Sequence, residues 1–223
     1  MSARHFALSV SATLVLAGCS IGKPVPQTTT YVVESSMPAG NAGTQLPGPL
    51  RMGNVRVAAA FSGNSLIYRM DDVNYVSDPS QAFIADPASM LGNEMATWLD
   101  RSRAFKSVTQ PGSTQSARYV LEATVIELYG DFRPGKQPAA VVKVQFVLLD
   151  YSGTLPSVVY EGTIGRREPL ERASPDILVR GYGTALSEIL SQFVSELGAR
   201  KIRLKAGRVR GSCTVASFPC SPV

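Results

Sequence analysis

The sequence predicts an α+β two-layer sandwich, a mainly antiparallel sheet with two principal helices packed on one face. Three observations give this. Strand-like alternation of apolar and polar residues recurs from Val55 to Ile164, one helical pattern with a capped start interrupts it, and a second helical pattern follows it. The alternation is half-wet, as in an antiparallel sheet with one face covered and the other in water.

Val55, Val57 and Ala59 alternate with Arg56 and Ala58 and read as a strand. Ser62-Gly63-Asn64-Ser65 is a turn signal, so Leu66-Ile67-Tyr68-Arg69-Met70 completes an expected hairpin, with Val73 to Val76 as a short third strand. Asp71-Asp72 between them reads as a solvated turn, since two adjacent carboxylates are too few ligands for a hard cation. Asp86-Pro87 has the chemistry of a helix start, Asp as N-cap and Pro preset at the first position. Met90, Leu91, Met95, Trp98 and Leu99 then recur at spacings of three and four, which gives one apolar face, and this helix should end near Arg103.

Three strands follow. Tyr119 to Tyr129 is rich in Val, Ile, Leu and Tyr, with Asp131-Phe132 as ordinary turn chemistry beyond it. In Ala140 to Asp150, the residues Ala140, Val142, Val144, Phe146 and Leu148 form one face, while Lys143 and Gln145 lie on the other. Val158, Tyr160 and Ile164 continue the pattern after a Ser152-Gly153 turn. Ser174-Pro175 opens the second helix, whose stripe runs through Leu178, Tyr182, Ala185, Leu186, Ile189, Phe193 and Leu197, with Gly198 as its expected end. Gly181-Tyr182-Gly183 lies inside that stripe and follows no strand, so it reads as close helix packing and not as a phosphate loop.

The N-terminus has a different character. Arg4 is a positive n-region, Phe6 to Ala17 is apolar, and Leu16-Ala17-Gly18-Cys19 follows. An apolar run of about a dozen residues is too short for a stable membrane helix, which needs roughly 20. Small residues before a cysteine resemble a bacterial lipobox, which implies that residues 1–18 are a signal peptide and that Cys19 becomes the acylated first residue. Two or three acyl chains at one point pass the threshold for stable anchoring. Ser20 at the second mature position resembles outer-membrane sorting, on the periplasmic face. Residues 19–54, with Pro24, Pro26, Pro38, Pro47 and Pro49, read as a flexible tether, from which Tyr31-Val32-Val33 could return to the sheet as a short strand. The folded domain is expected over residues 55–202.

Residues 203–223 form a basic tail that continues the charges of Arg200 and Lys201 through Arg203, Lys205, Arg208 and Arg210. Such a tail could meet phospholipid headgroups, lipopolysaccharide phosphates or an acidic partner, or simply solubilise the chain. With Cys19 acylated, Cys213 and Cys220 remain. An even pair in an oxidising compartment suggests a disulfide, and two free thiols are the alternative.

The census narrows the chemistry. A formal net charge of only +5 does not indicate a nucleic-acid partner, which would normally call for a concentrated basic stripe. The one histidine, His5, lies in the signal segment, so the mature chain would lack the imidazole needed for Ser-His-Asp or Cys-His hydrolysis and for His-liganded zinc. No G-x-S-x-G, P-loop, C-x-x-C or H-E-x-x-H occurs. No metal, cofactor or enzymatic activity is expected.

Several segments in order resemble the ABC-type transport auxiliary lipoproteins, which accompany transporters of the mammalian-cell-entry (MCE) type. They are Leu66-Ile67-Tyr68-Arg69, Tyr75, Phe83 before Asp86-Pro87, Ala104-Phe105-Lys106-Ser107-Val108, Tyr119-Val120-Leu121-Glu122, Glu127-Leu128-Tyr129-Gly130-Asp131-Phe132, and Ala185-Leu186-Ser187-Glu188-Ile189-Leu190. The resemblance covers roughly residues 30 to 198. It implies a non-enzymatic periplasmic component of envelope lipid transport, with an MCE-domain protein and ABC transporter subunits as partners and a homo-oligomer as a compatible state. Within the matched segments, Tyr68, Arg69 and Tyr75 are candidate partner contacts. The competing assignment is that Tyr68 packs and Arg69 pairs with a sheet carboxylate such as Glu122. Two other functions fit a small α+β lipoprotein: assembly of another envelope machine, such as lipopolysaccharide export or a secretion system, and a carboxylate-dependent periplasmic enzyme.

Overall fold

The computed structural model describes residues 27–37 and 46–209, with side chains as far as Ala199. Cys19, Cys213, Cys220, the signal segment and the tail beyond Val209 lie outside the described residues. In chain order the elements are β1 (Thr29–Tyr31), β2 (Leu50–Val57), a 3₁₀ turn (Ala59–Phe61), β3 (Ser65–Arg69), β4 (Tyr75–Phe83), α1 (Pro87–Arg101), β5 (Val108–Thr109), β6 (Tyr119–Asp131), β7 (Ala139–Asp150), β8 (Ser157–Pro169) and α2 (Pro175–Val209).

These form an α+β sandwich around one 8-stranded sheet, and the sheet is mixed. The long meander β6–β7–β8 is antiparallel throughout, from Tyr119↔Asp150 to Ala139↔Pro169. Along its other edge β6 takes two parallel neighbours in succession. β2 pairs with Tyr119 to Val125, and β3 pairs with Gly130 and Asp131. The expected hairpin of β2 with β3 is therefore corrected. The Ser62–Ser65 turn does not reverse the chain: β2 and β3 both run parallel to β6, lie in succession along its edge and do not pair with each other. The hairpin is instead β3–β4, with Tyr68↔Val76 and Arg69↔Tyr75, closed by Met70 N donating to Asn74 O at 2.9 Å. Pro79 lies where the β3–β4 register shifts, a position at which a missing N–H costs no ladder bond.

The helices start where the sequence predicts. Asp86 accepts a hydrogen bond from Ser89 N at 2.9 Å with Pro87 just inside, and Met90, Leu91, Met95, Trp98 and Leu99 are buried. α2 begins at Pro175 and buries every member of its stripe from Leu178 to Leu197. It does not stop at Gly198. A helical glycine costs about 1 kcal/mol, and the strong helix formers that follow carry the helix on to Val209. The even-numbered residues of β7 from Ala140 to Leu148 are buried and β7 packs against α2, where Phe146 stacks on Phe193 at 4.7 Å with Tyr160 edge-on at 5.1 Å.

The tether boundary is the second correction. β1 pairs parallel to β4 (Thr29↔Gln81), and Leu46, Leu50 and Met52 belong to the core, so the folded domain takes up much of residues 27–54. Residues 33–36 lie as a strap across both helices. Val33 is buried, Ser35 N and Oγ donate to Glu94 Oε1 on α1 at 2.8 and 2.5 Å, and Ser187 Oγ on α2 donates to Ser36 O. The same Ser187 hydroxyl accepts from Trp98 Nε1 at 3.2 Å. A Cβ at Gly183 would stand 2.0 Å from Glu34 O, and one at Gly181 would stand 2.6 Å from Leu170 Cδ2. Gly181 and Gly183 therefore serve close packing, as the sequence predicts.

Candidate functional site

The residues singled out in the sequence meet at one end of the sheet, where β3, β4, β6, β7 and β8 carry hairpins or termini. Alternation along β3 sends Tyr68 to the helix face and Arg69 to the other. Tyr68 packs: its ring stacks on Phe132 at 5.0 Å, and its hydroxyl donates to Asp78 Oδ2 at 2.9 Å. Burial and that carboxylate raise its pKa well above the ordinary tyrosine value.

Arg69 does not pair with Glu122. Glu122 is aligned with Val147 in the other half of β6, whereas β3 reaches only the last two residues of that strand. Arg69 instead clamps its own hairpin. Its Nε donates to Asp71 O at 3.0 Å and its Nη2 to Asp72 O at 2.9 Å, and the guanidinium lies 5.7 Å from the centre of the Tyr75 ring. Tyr75 completes a three-ring cluster, 5.3 Å from Tyr129 and 6.2 Å from Phe61, with Phe61 stacked on Tyr129 at 5.8 Å. One side of Tyr75 remains in water.

Behind this cluster is a hub that the sequence did not reveal. Asp131 ends β6 with its side chain only 2% exposed. Arg133 grips it with Nε on Oδ1 and Nη2 on Oδ2, both at 2.8 Å, and Arg167 Nη2 from β8 adds a bond to Oδ2 at 2.9 Å. The third arm of Arg133, Nη1, reaches Asp72 Oδ1 across the chain at 2.8 Å. Hydrogen bonding from Arg133 holds the Asp131 carboxyl down to about 2. The i,i+2 spacing of Asp131 and Arg133 was a visible signal. The arrival of Asp72 and Arg167 depends on pairings that no local pattern encodes.

In sequence, no family model matches the chain and no match is found among curated proteins. In fold it is similar to protein XCC0632 from Xanthomonas campestris, described as DUF330, with a TM-score of 0.67 at 16% identity, covering 80% of this chain and 99% of that one. A second solved structure, of an uncharacterized protein, matches with a TM-score of 0.56 at 17% identity, covering 79% of this chain and 99% of that one. At these identities the likeness shows the fold alone.

What the site can do follows from its charges. The guanidiniums of Arg69, Arg133 and Arg167 are all engaged by carboxylates or backbone carbonyls, so the network fixes two hairpins and β8 relative to one another. Among the described residues, no group of three or more His, Cys, Asp or Glu is arranged to hold a metal ion, and no helix is long and apolar enough to cross a membrane.

Proposed function

We propose that this protein is a non-enzymatic, lipid-anchored accessory component of an ABC-type, MCE-associated envelope lipid transport system. It would dock the transporter's periplasmic part at the outer membrane. The proposal rests on position. Only residues 20–28 separate Cys19 from the first strand, a span of roughly 30 Å at full extension. A tether running to residue 54 would allow a far longer stand-off, so a partner bound to this domain is held close to the bilayer.

The family-like segments support the same assignment because they fall on linked elements. Leu66 to Arg69 lie on β3, Tyr75 opens β4, Glu127 to Asp131 end β6, and Ala185 to Leu190 lie on α2. The sheet face that neither helix covers is the surface open to a partner. Tagged full-length protein, crosslinked in cells and purified from membranes, should bring down an MCE-domain protein with transporter subunits. The Cys19→Ala variant should lose them together with its membrane association. Recovery of membrane-bound wild type without any such subunit would overturn the partner assignment.

A further inference from the structure

Exposed large apolar side chains are few among the described residues, and four of them, Met70, Val73, Tyr75 and Val76, fall on one hairpin between β3 and β4. Val73, at its tip, is 88% exposed. The tip is also rigid. Asp71 Oδ1 accepts from Val73 N at 2.8 Å and from Asn74 N at 2.7 Å, Arg69 holds the carbonyls of Asp71 and Asp72, and Arg133 holds the Asp72 carboxylate. A hairpin fixed from three sides thus presents a valine to solvent, an arrangement that marks a contact surface.

The direction of the chain says which surface it meets. β1 runs parallel to β4 with Thr29 opposite Gln81, so the chain enters β1 from the side of Tyr75 and the tip. From Gln81 to Tyr75 is about 20 Å at strand rise, and the link from Cys19 spans roughly 30 Å. Cys19 and Val73 can therefore lie in one plane. The other exposed apolar hairpin, with Tyr151 and Leu155, is at the opposite end of the sheet, beyond the Tyr119↔Asp150 pair. To bring that hairpin to the membrane, the link would have to run back along the sheet.

We propose that the β3–β4 hairpin is a second membrane contact, with Val73 and Met70 entering the phospholipid surface that holds the acyl chains of Cys19. This rests on the lipid-anchor assignment above. Tyr75 follows the tip on β4 and the exposed Lys136 is near enough to act on the Asp72 carboxylate; amphipathic rings and ammonium groups favour the headgroup layer. Asp71 accepts from backbone N–H groups and Asp72 pairs with Arg133 while its side chain stays 84% exposed, so the parts that enter lipid are the uncharged Val73 and Met70, and the contact requires no anionic lipid. An insertion this small is weak alone. It persists because the anchor supplies a high effective concentration of membrane.

The test uses the full lipidated protein in phosphatidylcholine vesicles with brominated acyl chains, comparing Val73→Trp with Leu155→Trp. The native Trp98 is 3% exposed and gives a constant background. Flotation reads the anchor, and quenching reads the hairpin. The expected result is a floating protein in which the Val73→Trp emission shifts to the blue and loses most of its intensity, unchanged by salt, while Leu155→Trp is unaffected. A floating protein with Val73→Trp unquenched overturns the hairpin contact and leaves the anchor standing, and the tip then belongs to a protein partner. Quenching of Leu155→Trp in place of Val73→Trp overturns the orientation. A protein that does not float defeats the anchor assignment and this inference together.

Discussion

The two faces of the sheet are held by different physics. On the helix face the fit is one of shape: Gly183 admits the backbone of the strap, Gly181 admits Leu170, and Phe146 meets Phe193. On the other face, at the hairpin end, the fit is one of charge, with Asp131 gathering Arg133 and Arg167 and passing the link on to Asp72. A shape fit tolerates acid and salt but not an added methyl group. A charge fit has the opposite vulnerabilities, and its stability is tied to pH.

The largest effect is expected where shape is tightest. Gly183→Ala puts a Cβ against the Glu34 carbonyl, which is backbone and cannot rotate away. The strap must lift, exposing Val33 and breaking the Ser35–Glu94 and Ser187–Ser36 bonds. Overpacking together with lost valine burial should cost about 4 kcal/mol in urea unfolding at neutral pH. A wild-type midpoint would mean that the strap is not seated on the helix.

Asp131 is the matching lesion on the charged side. Its carboxyl is held at about 2, below its ordinary 3.8, so it stabilises the fold above the unfolded value and that contribution disappears as pH falls from about 4 to about 2. The shift corresponds to about 2 kcal/mol. Arg167 adds little of this, being 43% exposed. Asp131→Asn should lose a similar amount at neutral pH and also lose the acid-linked step. A variant that keeps the step would assign it to another carboxylate.

The same division explains what could be read from the sequence. Helix-face packing is written in periodicity, so β6, β7, β8, both helix starts and their buried stripes were legible. The Gly181-Tyr182-Gly183 packing was legible too, because small residues on an apolar stripe imply close approach. The hairpin end was not. Pairing of β3 with the last two residues of β6 joins segments far apart in the chain, and the turn residues Ser62–Ser65 do not tell a hairpin from a link between two strands that run the same way. Proline spacing around Pro47 and Pro49 concealed that Leu46 and Leu50 on either side are core. Tyr68, Arg69 and Tyr75 lie on one hairpin; alternation in the expected strand already turns Tyr68 and Arg69 to opposite sides, but only the pairing shows that Tyr75 stands opposite Arg69.

The smallest expected effect tests whether the helix face is held by shape alone. Tyr182 is buried in the α2 stripe, 6.2 Å from Phe83, and its hydroxyl has no hydrogen-bond partner among the described residues. Tyr160 lies on the same face, but its hydroxyl donates to Glu196 Oε2 at 2.8 Å. Deleting an unpaired buried hydroxyl removes a desolvation cost, whereas deleting a paired one removes a bond and strands its acceptor. Tyr182→Phe should therefore raise the urea midpoint by about 1 kcal/mol of stability with its slope unchanged, and Tyr160→Phe should lower it by a similar amount. If Tyr182→Phe destabilises as Tyr160→Phe does, that hydroxyl is satisfied in solution, and a polar contact helps to seat α2. The contrast between the faces would then be one of degree, with charge concentrated at the hairpins but not confined to them.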